Sequence, residues 1–300
     1  MNDTQPGALT TAKLTSQPEI WSEALNLPID QLQLLPGAGE RVLAIACGTS
    51  YYIGDSYAYL RGDAGLGRTR GAIPSELTWL DDDEHIVIIS RSGTSADAVE
   101  LVERFGGTHR ITAVLGDIDT RLGELCKGRI VHLGFADEQS VVQTRFATTA
   151  LTILRASLGE VPSTLIDDAR TALRVDLPAD PSEIRQVVFL GHRWSVGLAH
   201  EAALKVRESA GTWTEAYPVW EDQHGPISCA GPGSLVWMLG EFPDVVADDV
   251  RLTGATVYSN DLKPQANLVI AHRLAVALAR EVDRNPDTPP FLNRSVIATS

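Results

Sequence analysis

The chain alternates short, continuously apolar runs with stretches whose apolar residues recur at helical spacing. Arg41–Ala46 (RVLAIA) and His85–Ile89 (HIVII) read as strands buried on both faces, because a half-exposed strand would alternate apolar and polar residues. A small polar loop and a helical pattern follow each run. Cys47-Gly48-Thr49-Ser50 precedes Tyr51–Leu60, and Ser90-Arg91-Ser92-Gly93-Thr94-Ser95 precedes Ala96–Phe105. Strands at Ile111–Leu115 and Arg129–Leu133, then a long helix from Ser140 to Leu158, complete this half. Pro162, Pro178 and Pro181 mark a connection over Gly159–Pro181. The plan then restarts with a strand at Gln186–Leu190, a turn at Gly191–Val196, a helix over Gly197–Ala210, strands at Trp213–Tyr217 and Ser234–Leu239, and a helix over Asn267–Val282. This order predicts an α/β chain of two domains, residues 1–165 and 180–300, each a parallel sheet flanked by helices.

A length of 300 residues suits two domains, and 44% apolar with 21% charged residues is ordinary globular usage. The net charge of −14 argues against a surface that neutralises an extended polyanion, so no nucleic-acid partner is expected. An anionic ligand would need a local pocket. Cys47, Cys126 and Cys229 are odd in number and contain no CxxC pair, which gives neither a disulfide framework nor a zinc site. The first residues lack the basic-then-apolar order of a signal peptide, and no run reaches about 18 apolar residues. The expectation is a cytoplasmic protein without a membrane partner.

Ligands of parallel α/β sheets collect at the carboxyl ends of the strands, which directs attention to the loops after RVLAIA and HIVII. Thr49, Ser50, Ser90, Ser92, Thr94 and Ser95 offer hydroxyls there, Gly48 and Gly93 permit close backbone approach, and the following helix starts favour an anion. A phosphate monoester fits, with Arg91 as a cationic aid. The same residues would also serve as helix caps. Neither loop is a Walker or GxGxxG motif. In the second half, Glu201, Lys205 and Glu208 stand at i, i+4 and i+7 and share one helix face. Such a strip is either an exposed ion pair or, in a cleft, a general base beside a cation that stabilises an enediolate. His224 lies on the loop Gln223-His224-Gly225-Pro226, and the other histidines lack metal-ligand spacing.

Taken together, CGTSYYIG (47–54), SRSGTSADAVE (90–100), EQSVVQTRFATT (138–149), EAALKVRE (201–208), EAYPVWEDQHGP (215–226) and NPDTPPFLNRSV (285–296) resemble the sugar isomerase (SIS) family in its tandem two-domain form. That family includes the isomerase half of glucosamine-6-phosphate synthase and stand-alone amino-sugar-phosphate deaminases and isomerases. The resemblance implies two flavodoxin-like three-layer sandwiches and a phosphosugar aldose–ketose isomerase or deaminase working through a cis-enediol(amine). It implies that Thr49, Ser50, Ser90, Arg91, Ser92 and Ser95 hold the phosphate and that Glu208 is the base. Glu201 and Lys205 would be its helix neighbours, and His224 the ring-opening group donated across a homodimer interface. Arg294 stands where the synthases carry a lysine near the sugar, and arginine forms no Schiff base. The implied partner is a small sugar phosphate. No metal or organic cofactor is expected, since a positioned carboxylate suffices for proton transfer α to a carbonyl. A deglycase of a phosphorylated sugar–amine adduct and a non-catalytic sugar-phosphate-binding regulator are the alternatives.

Overall fold

The structure is a computed structural model that describes residues 5–293, so Arg294 lies outside the described residues. The helices α1 (Ala8–Thr15), α2 (Gln17–Ala24) and α3 (Ile29–Leu32) come first. The strand β1 (Arg41–Ala46), helix α4 (Thr49–Asp63), strand β2 (Thr69–Ala72), strand β3 (Glu84–Ser90) and helix α5 (Ala96–Phe105) follow. Next come β4 (Ile111–Leu115), α6 (Arg121–Leu125), β5 (Ile130–His132), α7 (Arg145–Ser157) and α8 (Leu165–Ala172). The remainder runs β6 (Gln186–Gly191), α9 (Ser195–Ala210), β7 (Trp213–Pro218), β8 (Ser234–Met238), α10 (Asp244–Leu252), β9 (Thr256–Tyr258) and α11 (Pro264–Glu281). The chain divides into two compact units.

One unit, residues 19–139, 145–162 and 293 among those described, holds a five-stranded sheet in the order β2-β1-β3-β4-β5 with every pair parallel. Alternate residues of β1 face opposite helical layers. Leu43 and Ile45 join Ala98, Leu101 and Val102 of α5 in one apolar cluster. Ala44 faces α4, where a Cβ on Gly54 would come within 3.4 Å of its own Cβ. Burial on both faces is what the uninterrupted apolar runs foretold. Edge strands β2 and β9 were not legible in the sequence, because TRGA and TVY are short and at most half-buried, so they carry no apolar run.

The helix expected from Ser140 begins at Arg145 instead. Glu138 Oε1 accepts the Phe146 backbone N–H at 2.9 Å, which satisfies a donor of the first turn and fixes the start. Ser140 Oγ donates to the Val142 carbonyl at 3.0 Å, a local bond that competes with helical pairing.

The other unit, residues 5–18, 140–144 and 163–292, holds a four-stranded parallel sheet in the order β7-β6-β8-β9. Val188, Leu190, Val236 and Met238 pack with Val246 and Val250 of α10, while α9 covers the sheet's other face and α11 packs on α9. The α1 segment belongs here: Asn285 Oδ1 accepts from Gly7 N–H at 2.8 Å, and Asp287 Oδ1 accepts from Thr10 N–H at 2.7 Å. Among the described residues no helix is long and apolar enough to cross a membrane.

Glu138 is fully buried, so Glu138→Ala leaves the Phe146 N–H without its acceptor. The variant is expected to lose roughly 1–3 kcal/mol of stability, measured by urea denaturation.

Candidate active site

The order β2-β1-β3 means that the chain leaves β1 in one direction along the sheet and returns on its other side at β3. The crevice between their carboxyl ends is therefore a topological switch point. Ala46 pairs with Ile89, so the two hydroxyl loops leave the sheet side by side. Thr49 and Ser50 begin α4 after Gly48, whose φ of 56° lies in the left-handed region. In the second loop, Gly93 has φ 63° and donates its N–H to Ser90 Oγ at 3.1 Å, while Thr94 Oγ1 lies 3.0 Å from Ser92 Oγ. Gly93 is also fixed by space, since a Cβ there would stand 2.2 Å from Thr120 Oγ1. Ser95 occupies the N-cap position of α5 without making a side-chain capping bond, so its hydroxyl is not used as the capping alternative requires. Arg91 is buried, and its Nη1 donates to the Glu138 carbonyl at 3.3 Å, which joins the loop to the segment before α7. Burial and the charge of Asp97 push the Cys47 thiol above its ordinary range.

The helix α9 separates the three residues that share its face. Glu201 is fully buried and takes a hydrogen bond from His272 of α11, with Nε2 at 3.2 Å from Oε2. The tautomer follows from Gln17. Its Nε2 lies 3.0 Å from the Leu14 carbonyl, which only accepts, and 3.3 Å from His272 Nδ1. The amide therefore donates to both, Nδ1 is unprotonated, and the ring hydrogen sits on Nε2 facing Glu201. One turn along α9, Lys205 is only 1% exposed and its Nζ forms an ion pair with Glu208 Oε2, whose side chain is 21% exposed. An ammonium with almost no water contact depends on that carboxylate. α9 thus presents one partly accessible carboxylate with a buried cation behind it, an arrangement able to move a proton and to stabilise an adjacent oxyanion.

His224 ends the 3-10 turn Glu221–His224 and is exposed, just before Gly225 with φ 141°. Sequence reasoning passed over Asp222 on the same turn. It is 2% exposed, its Oδ2 has no hydrogen-bond partner among the described residues, and burial together with the nearby Glu215 charge pushes its carboxyl up to about 6. Gln17 and His272 were missed as well, because nothing in their spacing ties them to Glu201. Gln223 Nε2 donates to Asp249 Oδ2 at 2.6 Å, which ties the turn to α10. Among the described residues no group of three or more His, Cys, Asp or Glu could hold a metal ion.

No family model matches the chain. It is similar to the glutamine–fructose-6-phosphate aminotransferase of Sulfolobus acidocaldarius, with 27% identity over 251 residues that cover 77% of this chain and 42% of the relative. The chain spans less than half the length of the curated relatives it matches first. Its fold is that of a Thermotoga maritima glucosamine-6-phosphate deaminase, with a TM-score of 0.78 at 20% identity over 96% of this chain and 99% of the other. An Escherichia coli tagatose-6-phosphate ketose/aldose isomerase gives a TM-score of 0.71 at 19% identity over 97% and 99%. The chain is homologous to glutamine–fructose-6-phosphate aminotransferases over this region and shares the fold of phosphosugar isomerases.

The sign for Asp222 is that of an acid whose folded-state pKa is raised. Between the ordinary carboxyl value of 3.8 and about 6 the folded state holds the proton that the unfolded state has released, so this group's contribution to stability falls as pH rises through that window. Asp222→Asn is therefore expected to gain melting temperature over the wild type progressively from pH 4 to 6 and to keep a constant lead above it. Paired thermal melts across pH 4–8 measure the difference.

Proposed function

We propose that the protein is an aldose–ketose isomerase of a hexose or hexosamine 6-phosphate, which it converts by moving a proton between C1 and C2. The observation that carries this reading is the pair on α9, where Glu208 is partly accessible and the buried Lys205 stands against it. The homology to glutamine–fructose-6-phosphate aminotransferases and the fold shared with a ketose/aldose isomerase support the same chemistry.

In this reading the hydroxyls of Thr49, Ser50, Ser90, Ser92 and Ser95 take the phosphate oxygens. Arg91, joined to the Glu138 carbonyl, holds its loop in shape and lends a positive charge from behind it. His224 transfers the proton that opens the sugar ring, a task suited to imidazole near neutral pH. By the resemblance to the sugar isomerase family, His224 would serve the site of a second copy, which requires a homodimer, and its exposure is compatible with that. Glu208 then removes the proton from the carbon next to the open-chain carbonyl, giving a cis-enediol or enediolamine, and returns it to the neighbouring carbon. The Lys205 ammonium stabilises the oxygen on which negative charge develops. Glu201, fixed by His272 and Gln17, acts at one remove by holding α9 against α11.

Glu208→Gln is expected to lower exchange of the C2 proton with deuterated solvent by roughly 10²–10⁴-fold while sugar-phosphate binding persists. Proton NMR in deuterated water, with a panel of hexose and hexosamine 6-phosphates, reads C2 deuteration and an ammonia assay runs alongside. Deuteration alone identifies isomerisation, and deuteration with ammonia identifies deamination. Undiminished exchange in the variant overturns the assignment of Glu208.

A further inference from the structure

The four-stranded sheet has a switch point of its own. The chain leaves β6 towards β7 on one side and returns at β8 on the other, so a crevice opens between the carboxyl ends of β6 and β8. It forms a cavity of about 360 Å³ whose wall includes His192, Trp194 and Ser195 after β6, Trp220 after β7, and Met238 and Glu241 at the end of β8. Ser195 begins α9, and Glu208 follows thirteen residues later on the same helix. At 1.5 Å per residue the backbone of Ser195 lies about 20 Å along α9 from that of Glu208.

The chemistry of this wall differs from that of the hydroxyl loops. Ser195 is its one hydroxyl, and that Oγ is committed to the loop itself, accepting from His192 N–H at 2.8 Å and lying 3.1 Å from the His192 carbonyl. The helix starts offer few donors. Ser195 and Val196 N–H close on the carbonyls of His192 and Arg193, Pro264 at the start of α11 has none, and Ala266 and Asn267 N–H both close on Lys263. Glu241 places a carboxylate on the wall, whereas neither Arg193 nor Lys263 lines it. A unit charge outweighs the residual helix-end field: about 1–4 kcal/mol at 4 Å near a surface, against 0.3–1 kcal/mol for a helix terminus. The committed hydroxyl, the spent helix starts and the Glu241 carboxylate each disfavour an anion.

What the wall offers instead is two indoles and a carboxylate, and Trp220 is 47% exposed despite its apolar bulk. Tryptophan is the strongest aromatic partner of an organic cation, and such groups are held by rings within about 6 Å together with a neutralising acid. A sugar would demand several fixed hydrogen-bond partners, for which the wall supplies one carboxylate and one imidazole. We propose that this cavity is a binding site for a small organic ammonium ion, separate from the hydroxyl loops and from Glu208. This inference does not rest on the isomerase reading.

Ligand-observed NMR of the full chain with tetramethylammonium chloride tests it, at constant ionic strength and with methyl glucoside and inorganic phosphate as the other probes. The expected result is saturable binding of tetramethylammonium with a dissociation constant in the millimolar range. It should weaken at least fivefold in both Trp220→Ala and Glu241→Gln and stay unchanged in Glu208→Gln. Both altered side chains are exposed, so the fold is retained, and a thermal melt of each variant verifies this. Absence of saturation, indifference to both substitutions, or preferential binding of methyl glucoside or phosphate would each overturn the proposal. Loss of tetramethylammonium binding in Glu208→Gln would overturn the separation from the proton-transfer pair.

Discussion

Two parallel strands cannot be joined by a tight turn, so β1, β3, β6 and β8 must each hand the chain to a segment that carries it back along the sheet. All carboxyl ends of a sheet then share one edge, and every loop with freedom to bind something is collected there. The reversal of strand order about β1, and again about β6, opens one crevice in each unit. The backbone plan is the same in both. The side chains are not: the loops beside the first carry hydroxyls and glycines with left-handed backbone, while indoles and a carboxylate line the second. Fold accounts for where these crevices are, and composition of a few loop residues accounts for how their chemistry differs.

Buried polar groups define α9 more closely than its amphipathic pattern does. A helix that placed Glu201, Lys205 and Glu208 on a solvated face would gain a few tenths of a kcal/mol from each ion pair. Here the first is sealed against His272 and the second is nearly sealed against the third. Each buried group is then costly to leave unpartnered, which makes the relative positions of α9 and α11 a condition of stability. Because Gln17 occupies Nδ1, the contact to Glu201 is a hydrogen bond from a neutral ring to a carboxyl group, and its loss would leave two polar groups in an apolar layer. Asp222 is the exception: its Oδ2 has no hydrogen-bond partner among the described residues, and it lies on the turn that also carries His224.

The sequence revealed those elements whose burial is written in consecutive residues. β1 after Arg41 and the centre of β3 from Ile86 to Ile89 are continuously apolar because both faces are covered, and the loops after them are readable because Gly and Ser break the run abruptly. β2 and β9 escaped notice since an edge strand of three or four half-buried residues needs no apolar signature. The start of α7 was misplaced by five residues because a carboxylate seven positions upstream, Glu138, sets it, and Ser140–Thr144 has no breaker of its own. At the site, spacing was enough to put Lys205 and Glu208 within reach of each other. It could not show that Glu201 turns to a histidine 71 residues away, or that Asp222 would be enclosed beside Glu215. Those facts depend on which helices and turns meet, and local periodicity holds no record of that.

The net charge of −14 would seem hostile to a phosphate, yet range decides the matter. At physiological ionic strength exposed charges are screened beyond about 8 Å, so most of the acidic surface contributes little at a given loop. What a bound phosphate would meet is local: hydroxyl dipoles, the starts of α4 and α5, and the guanidinium of Arg91. That guanidinium is buried and donates to a backbone carbonyl, so its charge reaches the loop through a poorly screened interior and not across water. A cation held behind the loop would act on an anion without closing on it and would leave the hydroxyls to set orientation. The acidic exterior then acts against polyanions, whereas a single phosphate monoester at these two short loops would be governed by their local chemistry.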